Sequence, residues 1–341
     1  MQKLIGESLI DSNISGVANF VFEGQKIVRS YGTFPHPNIL GGFLIFTIFI
    51  TIFLYLESKS GYLSSRILSF RLNRQDNNTN RHKSQGVFYV YFWVVLIFVQ
   101  ISALFLTFSR VSWIGAILAV ILLCFFCLFN KIVSRETILL RQVNFFRKIL
   151  NISYNYKELL IAVILFLLVI ISNFFLIQAR FNGDMFSNSN LPNNSAISDR
   201  LFYNNVSRET ISNNFLFGSG IGTSIFQINN YLKNNDIEQE IEPWQYQPAH
   251  NIYFLIASEV GIIGLLFFLL LFIVYVISNS IKIVSRETIS NNKLSPYLLV
   301  ILMTFLFIGV FDHYFWTLQQ GQLIFWLVLA LIMVISKNTR K

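Results

Sequence analysis

The stretch HNIYFLIASEVGIIGLLFFLLLF, residues 250–272, decides the fold class. After the opening His250 it holds a single acidic side chain, Glu259, among residues that are mostly apolar. A helix of about 20 apolar residues is long enough to cross a bilayer. An ionisable group inside such a helix is usually functional or paired with a neighbouring helix. The stretch therefore predicts a membrane-spanning helix with a polar group inside it.

The composition of the whole chain agrees with this interpretation. The 341 residues are 54% hydrophobic and 13% charged, and the mean hydropathy is +0.57. Soluble domains carry about 25% charged residues. Because lipid offers no hydrogen bonds, a spanning segment must satisfy its own backbone, as a helix does. We predict an all-α, polytopic transmembrane helix bundle.

Seven apolar stretches are long enough, or nearly long enough, to be spans. They lie at 39–57, 87–108, 111–129, 159–177, 252–277, 296–316 and 322–336. Most of the 26 Lys and Arg residues fall in the alternate connectors 58–86, 130–158, 278–295 and 337–341. Such connectors face the cytoplasm by the positive-inside rule, so the N-terminus is expected outside and the C-terminus inside.

This topology divides the chain into four predicted parts. They are an external N-terminal segment at 1–38, spans one to four within 39–177, a large external loop at 178–251, and spans five to seven with a cytoplasmic tail at 252–341. A polar segment placed outside without an apolar leader is unusual. We therefore expect further spans upstream of Met1.

The formal net charge of +9 raises the question of nucleic-acid binding. Most of this charge lies in connectors beside the cytoplasmic leaflet, where anionic lipid headgroups are the natural partners. Cys124 and Cys127 form a CxxC within an apolar run, without a second ligand pair. We therefore expect membrane lipids as partners, no nucleic acid, and no metal site at these cysteines.

His250 is the strongest catalytic candidate. Together with Asn251 it opens a predicted span, where the free N–H groups of a helix N-terminus favour an anion. A neutral imidazole can also accept a proton from a hydroxyl group near pH 7. The alternative interpretations are that Asn251 only caps the helix and that Glu259 is only an interhelical hydrogen-bond partner.

Two further histidines, His36 and His313, also fall at external ends of spans. Three histidines at one face suggest one site, although histidine also tolerates interfaces. Asp312 precedes His313, within an aromatic belt. Asn38 follows two prolines and is predicted to cap the first span.

Arg110 lies in the tight external turn FSRVSW, residues 108–113. Its planar guanidinium can bind a phosphate or diphosphate, or extend to lipid headgroups. A second arginine, Arg200, lies in AISDRLFYNN of the long loop. The glycines 218, 220 and 222 that follow predict a turn between two short helices, because a dinucleotide site would need a preceding strand.

The hexapeptide VSRETI occurs three times, at 133–138, 206–211 and 284–289. The topology puts the first and third copies in the cytoplasm and the second outside, so one site cannot use all three. We interpret it as a repeat tolerated in loops.

Several motifs together resemble the O-antigen ligase and polymerase superfamily of bacterial membrane glycosyltransferases. In chain order they are GTFPHPN, FSRVSWIGAIL, DR before a long loop, FGSGIG and AHNIYFLIASEVGIIGLL. The resemblance covers roughly residues 29–275 and rests on the combination of motifs. Such enzymes have more spans than the seven counted here.

The resemblance implies an all-helical, multi-pass enzyme of the bacterial cytoplasmic membrane with its active site on the external face. It would move a glycan from an undecaprenyl-diphosphate carrier to an acceptor hydroxyl of a glycan, lipid or protein. It implies a catalytic base at His250 and diphosphate binding by Arg110 and Arg200, without metal, cofactor or nucleotide sugar. From the residues themselves we add a supporting set: Asn251, Glu259, His36, Asn38, Asp312 and His313.

Two alternatives stay open at this point. A polymerase of the same superfamily would use a second lipid-linked glycan as the acceptor. A transporter of lipid-linked glycan would place its polar groups near the bilayer midplane, whereas here they gather at one face.

Overall fold

The computed structural model describes residues 11, 14, 16–59, 79–133, 170–171, 173–182, 196–238, 241–284 and 294–338. They are mainly helical, as predicted, with one β-hairpin that the apolar pattern did not indicate. Strand β1 (Asn19–Phe22) pairs antiparallel with β2 (Gln25–Val28). The two residues between them, Glu23 and Gly24, both have positive φ, which suits a tight hairpin turn.

The described residues form ten α-helices and one short 3-10 helix at Pro243–Gln245. The α-helices are α1 (Pro37–Lys59), α2 (Thr79–Leu106), α3 (Arg110–Val133), α4 (Phe174–Asn182), α5 (Ala196–Asn213), α6 (Gln227–Asn234), α7 (Ile252–Val284), α8 (Ser295–Ile308), α9 (Tyr314–Thr317) and α10 (Gln319–Asn338).

Helices α1 and α8 form the centre of the bundle. Helix α1 contacts α2, α3, α8 and α10, while α8 also contacts α3, α7 and α10. The five consecutive residues 298–302 of α8 are all buried. A helix that is apolar on every side belongs inside protein, and α8 meets that condition.

Small residues let α3 approach its neighbours closely. A Cβ atom on Gly41 of α1 would collide with the side chain of Ser112, and one on Gly115 would press against Ile308 of α8. Without a hydrophobic driving force in lipid, close packing of this kind is what holds spanning helices together.

Two helical stretches, Pro37–Ser58 and Ile252–Val274, are long and apolar enough to cross a membrane. Four shorter apolar stretches accompany them among the described residues: Tyr91–Leu106, Arg110–Phe126, Ser295–Ile308 and Gln319–Ile335. The predicted span 159–177 lies mostly outside the described residues. The count of seven spans stays a prediction.

The predicted span 296–316 is not one helix, and this prediction was wrong. Helix α8 ends at Ile308, and an irregular segment leads to α9. The Gly309 carbonyl accepts a hydrogen bond of 2.8 Å from the Ile252 N–H of α7, so a neighbouring helix supplies the partner for the chain at this break. The break places Asp312 and His313 outside regular helix.

Helix α7 is interrupted as well, at Gly261, where φ is 80° and ψ is 177°. The interruption frees the carbonyls of Ser258 and Glu259, which accept hydrogen bonds from the N–H groups of Ser219 and Gly220 at 2.8 and 2.9 Å. The Ile262 N–H donates to the carbonyl of residue 215 at 2.9 Å. The segment 214–223 therefore replaces the hydrogen bonds that α7 gives up.

The segment 214–223, which we call the glycine loop, lies between α5 and α6. The prediction of a turn between two helices is confirmed. A Cβ on Gly218 would collide with the backbone of Glu259 and Gly261, and one on Gly261 would collide with the backbone of Leu216. Glycine at these two positions is what allows backbone to lie on backbone.

The second VSRETI copy is helical and lies within the connector 178–251, so its interpretation as a repeat tolerated between spans stays a prediction. It belongs to α5, and its Val206, Ser207 and Thr210 are buried. Arg208 lies over the ring of Phe254, 5.7 Å from its centroid. The other two copies lie almost wholly outside the described residues.

Replacing Gly218 with Ala should destabilise the protein by about 3 kcal/mol, because the added Cβ separates the glycine loop from α7. The matched control is Gly222→Ala, which has a similar φ of 78° but open space around its Cβ position. The control should lose about 1 kcal/mol of stability, because alanine is disfavoured in a left-handed backbone conformation. Unfolding of the purified variants in detergent measures the two losses of stability. Equal losses would contradict the close contact between the glycine loop and α7.

Candidate active site

A buried hydrogen-bond relay joins three distant segments of the chain. The Arg29 guanidinium, 7% exposed, donates through Nε to the Thr107 carbonyl at 2.9 Å and through Nη2 to Asn38 Oδ1 at 2.6 Å. Asn38 Nδ2 in turn donates to Asp312 Oδ2 at 2.6 Å. The amide thus links a buried cation to a buried anion, which is how buried charges are made tolerable.

Asn38 does not cap α1, so this prediction was wrong. Its backbone N–H donates to Nδ1 of His36 at 3.1 Å, so the imidazole provides the capping acceptor. The Asn38 side chain instead forms both hydrogen bonds of the relay, one with Arg29 and one with Asp312.

The three predicted histidines lie together around Asp312. The His250 and His313 rings meet edge to face with their centroids 5.1 Å apart. Burial lowers the pKa of His36, of His250 and of His313, and the Asp312 carboxylate opposes this lowering at each, so it lies close to all three imidazoles. His313 Nδ1 is 2.6 Å from the Thr317 hydroxyl, and its backbone N–H donates to Asp312 Oδ1 at 2.8 Å. We call His36, His250, Asp312 and His313 the histidine cluster.

Burial sets the charge state of the histidine cluster. It lowers the pKa of His36 and that of His250 to about 4, with smaller lowering by nearby His313 and Arg200. Burial also opposes ionisation of Asp312, yet the surrounding imidazoles and the Asn38 hydrogen bond bring its pKa below the ordinary value. Near pH 7 the cluster therefore holds neutral imidazoles around one carboxylate.

His250 has a free nitrogen in this setting. Its Nδ1 is buried and has no hydrogen-bond partner among the residues that the structure describes. The ring lies against Tyr203, with centroids 6.0 Å apart, and the Tyr203 hydroxyl donates to the Gln245 carbonyl. Burial and then Asp199 raise the pKa of Tyr203 to about 12, so the phenol stays neutral. An imidazole held between rings with an unused nitrogen is suited to proton transfer.

Asn251 anchors the helix that follows His250. Its Oδ1 accepts hydrogen bonds from the N–H groups of Tyr253 and Phe254, at 2.9 and 3.1 Å. The structure thus shows Asn251 as the N-cap of α7. It fixes the position from which His250 extends.

Glu259 forms an interhelical hydrogen bond, in agreement with the alternative interpretation of this residue. The residue is 3% exposed, and its Oε2 accepts a hydrogen bond of 3.1 Å from Trp316 Nε1 of α9. Glu259 also raises the pKa of His313, although burial keeps that pKa below its ordinary value. The carboxylate therefore links the break in α7 to the histidine cluster.

Several arginines lie near the histidine cluster or near Arg29. Arg200 is close enough to lower the pKa of His36 and of His250. Arg110 begins α3 and, with Arg180, lies close enough to Arg29 to lower its pKa. Burial is the larger cause and brings the pKa of Arg29 to about 9, so its guanidinium stays charged at neutral pH. The site is therefore rich in cations.

Arg29, Arg180, Tyr203 and Trp316 are components of the site that the sequence analysis did not select. Arg29 opens the stretch RSYGTFPHPN, and its position ahead of the PHPN motif was the available signal. Arg180 follows an apolar run, as Arg110 does. No sequence signal marked Tyr203 or Trp316, because their places depend on tertiary contacts.

The clustering of histidines with a carboxylate raises the question of a metal. Among the residues that the structure describes, no group of three His, Cys, Asp or Glu side chains is arranged to hold a metal ion.

Replacing Asn38 with Leu should cost about 3 kcal/mol of stability, since it leaves the Arg29 and Asp312 charges buried without their bridge. Asn213→Leu, at an exposed position on α5, is the matched control and should change stability little. Unfolding of both variants in detergent measures the difference. Similar stabilities for the two would show that the relay contributes nothing.

A comparison with known families identifies the chain. Residues 93–269, just over half of it, match the family model described as O-antigen ligase. The match includes Arg110, Arg200, His250 and Glu259, while His36, Asn38 and Asp312 lie outside it. Comparison with curated proteins and with solved structures gives no match. The chain belongs to the O-antigen ligase family of bacterial inner-membrane enzymes, which transfer glycans.

Proposed function

We propose that the protein transfers a glycan from an undecaprenyl-diphosphate carrier to an acceptor hydroxyl at the external face of the membrane. The observation that carries this proposal is His250, a neutral imidazole close to Arg200 whose buried Nδ1 has no hydrogen-bond partner among the described residues. Transfer of this kind needs a proton acceptor for the hydroxyl and cations for the departing diphosphate.

In the proposed reaction the acceptor oxygen attacks the anomeric carbon of the glycan. The bond from that carbon to the diphosphate oxygen breaks, and undecaprenyl diphosphate departs with the electron pair. His250 accepts the proton of the attacking hydroxyl as the new glycosidic bond forms. A base positioned in this way contributes about 100-fold or more to a rate.

Asp312 supports the base in this scheme. A pKa of about 4 keeps His250 neutral at pH 7 but also makes it a weak base. The Asp312 carboxylate stabilises the imidazolium that forms, and the Asn38 bridge holds the carboxylate in place. The imidazoles of His36 and His313 also lie close to the Asp312 carboxylate. We therefore assign these three residues and Asn38 as positioning groups.

Arg110 and Arg200 are proposed to bind the diphosphate. Guanidinium groups bind phosphate oxygens through paired N–H donors, and their charge offsets the negative charge that develops on the leaving group. Arg29 is engaged by Thr107 and Asn38, so it contributes charge rather than a free donor pair.

An apolar groove supports a lipid-borne donor. Its cavity has a volume of about 530 Å³. Among the described residues it is lined by Ile170 and by apolar and aromatic side chains of α1 to α4, which include Ile45, Phe49, Leu104, Trp113 and Ile177. Trp113 and Ile177 each lie three residues from an arginine, Arg110 and Arg180. A chain of hydrocarbon in this groove would place its headgroup near those cations.

The polymerase interpretation uses the same donor and the same base. It differs only in the acceptor, which would be a second lipid-linked glycan. A comparison of product lengths separates the two, since a polymerase extends glycans and a ligase does not.

Replacing His250 with Ala should reduce transfer of lipid-linked glycan at least about 100-fold, because the proposed proton acceptor is lost. Product formation by membranes containing equal amounts of inserted protein is the measurement. Asn230→Ala, at an exposed position of α6, serves as the control and should retain full activity. A folded, inserted His250→Ala protein with normal turnover would rule out this base.

Replacing Arg110 with Lys should reduce transfer about 10-fold or more, because lysine cannot form the paired contact to a diphosphate. Arg208→Lys is the matched control, since Arg208 is exposed and lies over Phe254 in the second VSRETI copy. Both variants are compared at saturating donor. Equal activity of the two would indicate that Arg110 only meets lipid headgroups.

A further inference from the structure

The glycine loop displays large apolar side chains on its surface. Phe217 and Ile221 are each 76% exposed, and Phe215 and Leu216 are more than half exposed. No Asp, Glu, Lys or Arg occurs between Glu209 and Lys233. An exposed apolar set of this size, within a stretch without charge, marks a contact with a protein or a membrane.

The attachment of the loop fixes its depth along α7. Its hydrogen bonds go to Ser258, Glu259 and Ile262, well below the N-terminus of α7 at Ile252. At a rise of 1.5 Å per residue, Gly261 lies about 13 Å along the helix from Ile252. The hydrocarbon core of a bilayer is about 30 Å thick. If the stretch Ile252–Val274 crosses the membrane, the loop lies at the depth of the external leaflet.

The hydrogen bonding of the loop fits that location. Lipid accepts irregular backbone only where the protein satisfies its polar groups. The Gly218 N–H donates to the Asn214 carbonyl at 2.9 Å, and those of Ser219 and Gly220 donate to α7. The Ser219 hydroxyl is 2.8 Å from that of Thr223, which also donates to the Gly220 carbonyl at 2.7 Å. Hydrogen bonds within the protein thus satisfy these polar groups of the loop, while its large apolar side chains are exposed.

The apolar surface of the loop continues along α7. Below the attachment point, Leu266, Phe267 and Leu270 of α7 are more than half exposed. The exposed face of α6, in contrast, carries Asn229 and Asn230. The change from apolar to polar surface occurs between the loop and the next helix.

We propose that the glycine loop inserts into the external leaflet, with Phe215, Leu216, Phe217 and Ile221 in contact with lipid hydrocarbon. The loop is then a membrane-embedded wall of the enzyme and not part of an aqueous external domain. This inference rests on the proposed membrane crossing of α7.

Site-directed spin labelling of the full chain in liposomes of phosphatidylethanolamine and phosphatidylglycerol tests the proposal. The background carries Cys124→Ser and Cys127→Ser, and labels are attached to Phe217→Cys, Leu270→Cys and Asn230→Cys. Power saturation compares collision with oxygen, which concentrates in hydrocarbon, and with a water-soluble nickel chelate. Ile221→Cys is a second loop position should Phe217→Cys fail to fold.

We expect the ratio of oxygen to nickel accessibility at position 217 to match that at 270 and to exceed that at 230 about 10-fold. A ratio at 217 equal to that at 230, with 270 in lipid, overturns the insertion of the loop while leaving the membrane crossing of α7 intact. A water-like ratio at 270 overturns the membrane crossing, and the inference fails with it.

Discussion

A carboxylate that is removed from water needs compensating donors, and Asp312 obtains them from three parts of the chain. Asn38 supplies an amide, His313 its backbone N–H, and Arg29 a charge relayed through Asn38. The imidazoles of His36 and His250 close around the same group. Because the cost of leaving this charge uncompensated is large, the packing of the first helix, the hairpin segment and the last helices is fixed relative to one another.

The break in α7 and the end of α8 both contribute to this buried polar site. A continuous helix presents no unused backbone groups, so it cannot bind another backbone. Gly261 releases two carbonyls for the glycine loop, and the end of α8 releases the Gly309 carbonyl for Ile252. The irregular segments that result carry Asp312 and His313 and bring Glu259 to Trp316. The polar chemistry therefore lies where regular helix stops.

The sequence predicts some of this arrangement and omits the rest for physical reasons. Runs of apolar residues predict helices because helical hydrogen bonding is local in sequence. Residues at the same end of neighbouring predicted spans, such as His250 and His313, are expected at the same depth. The partner of Asn38 depends on contacts across the whole chain, so its capping prediction failed. A glycine such as Gly261 is tolerated in many helices, and only the docked loop makes it a break. The assignment of roles to His250, Arg110 and Arg200 stays a prediction.

The bond between Asn38 and Asp312 joins residues that are 274 positions apart. A membrane protein is inserted as it is synthesised, and its first helices enter the bilayer long before the last ones exist. During that interval the amide of Asn38 has no carboxylate and His250 has no counter-charge. The buried polar contacts around Asp312 therefore form only after the segment that carries it has been synthesised and packed against α1.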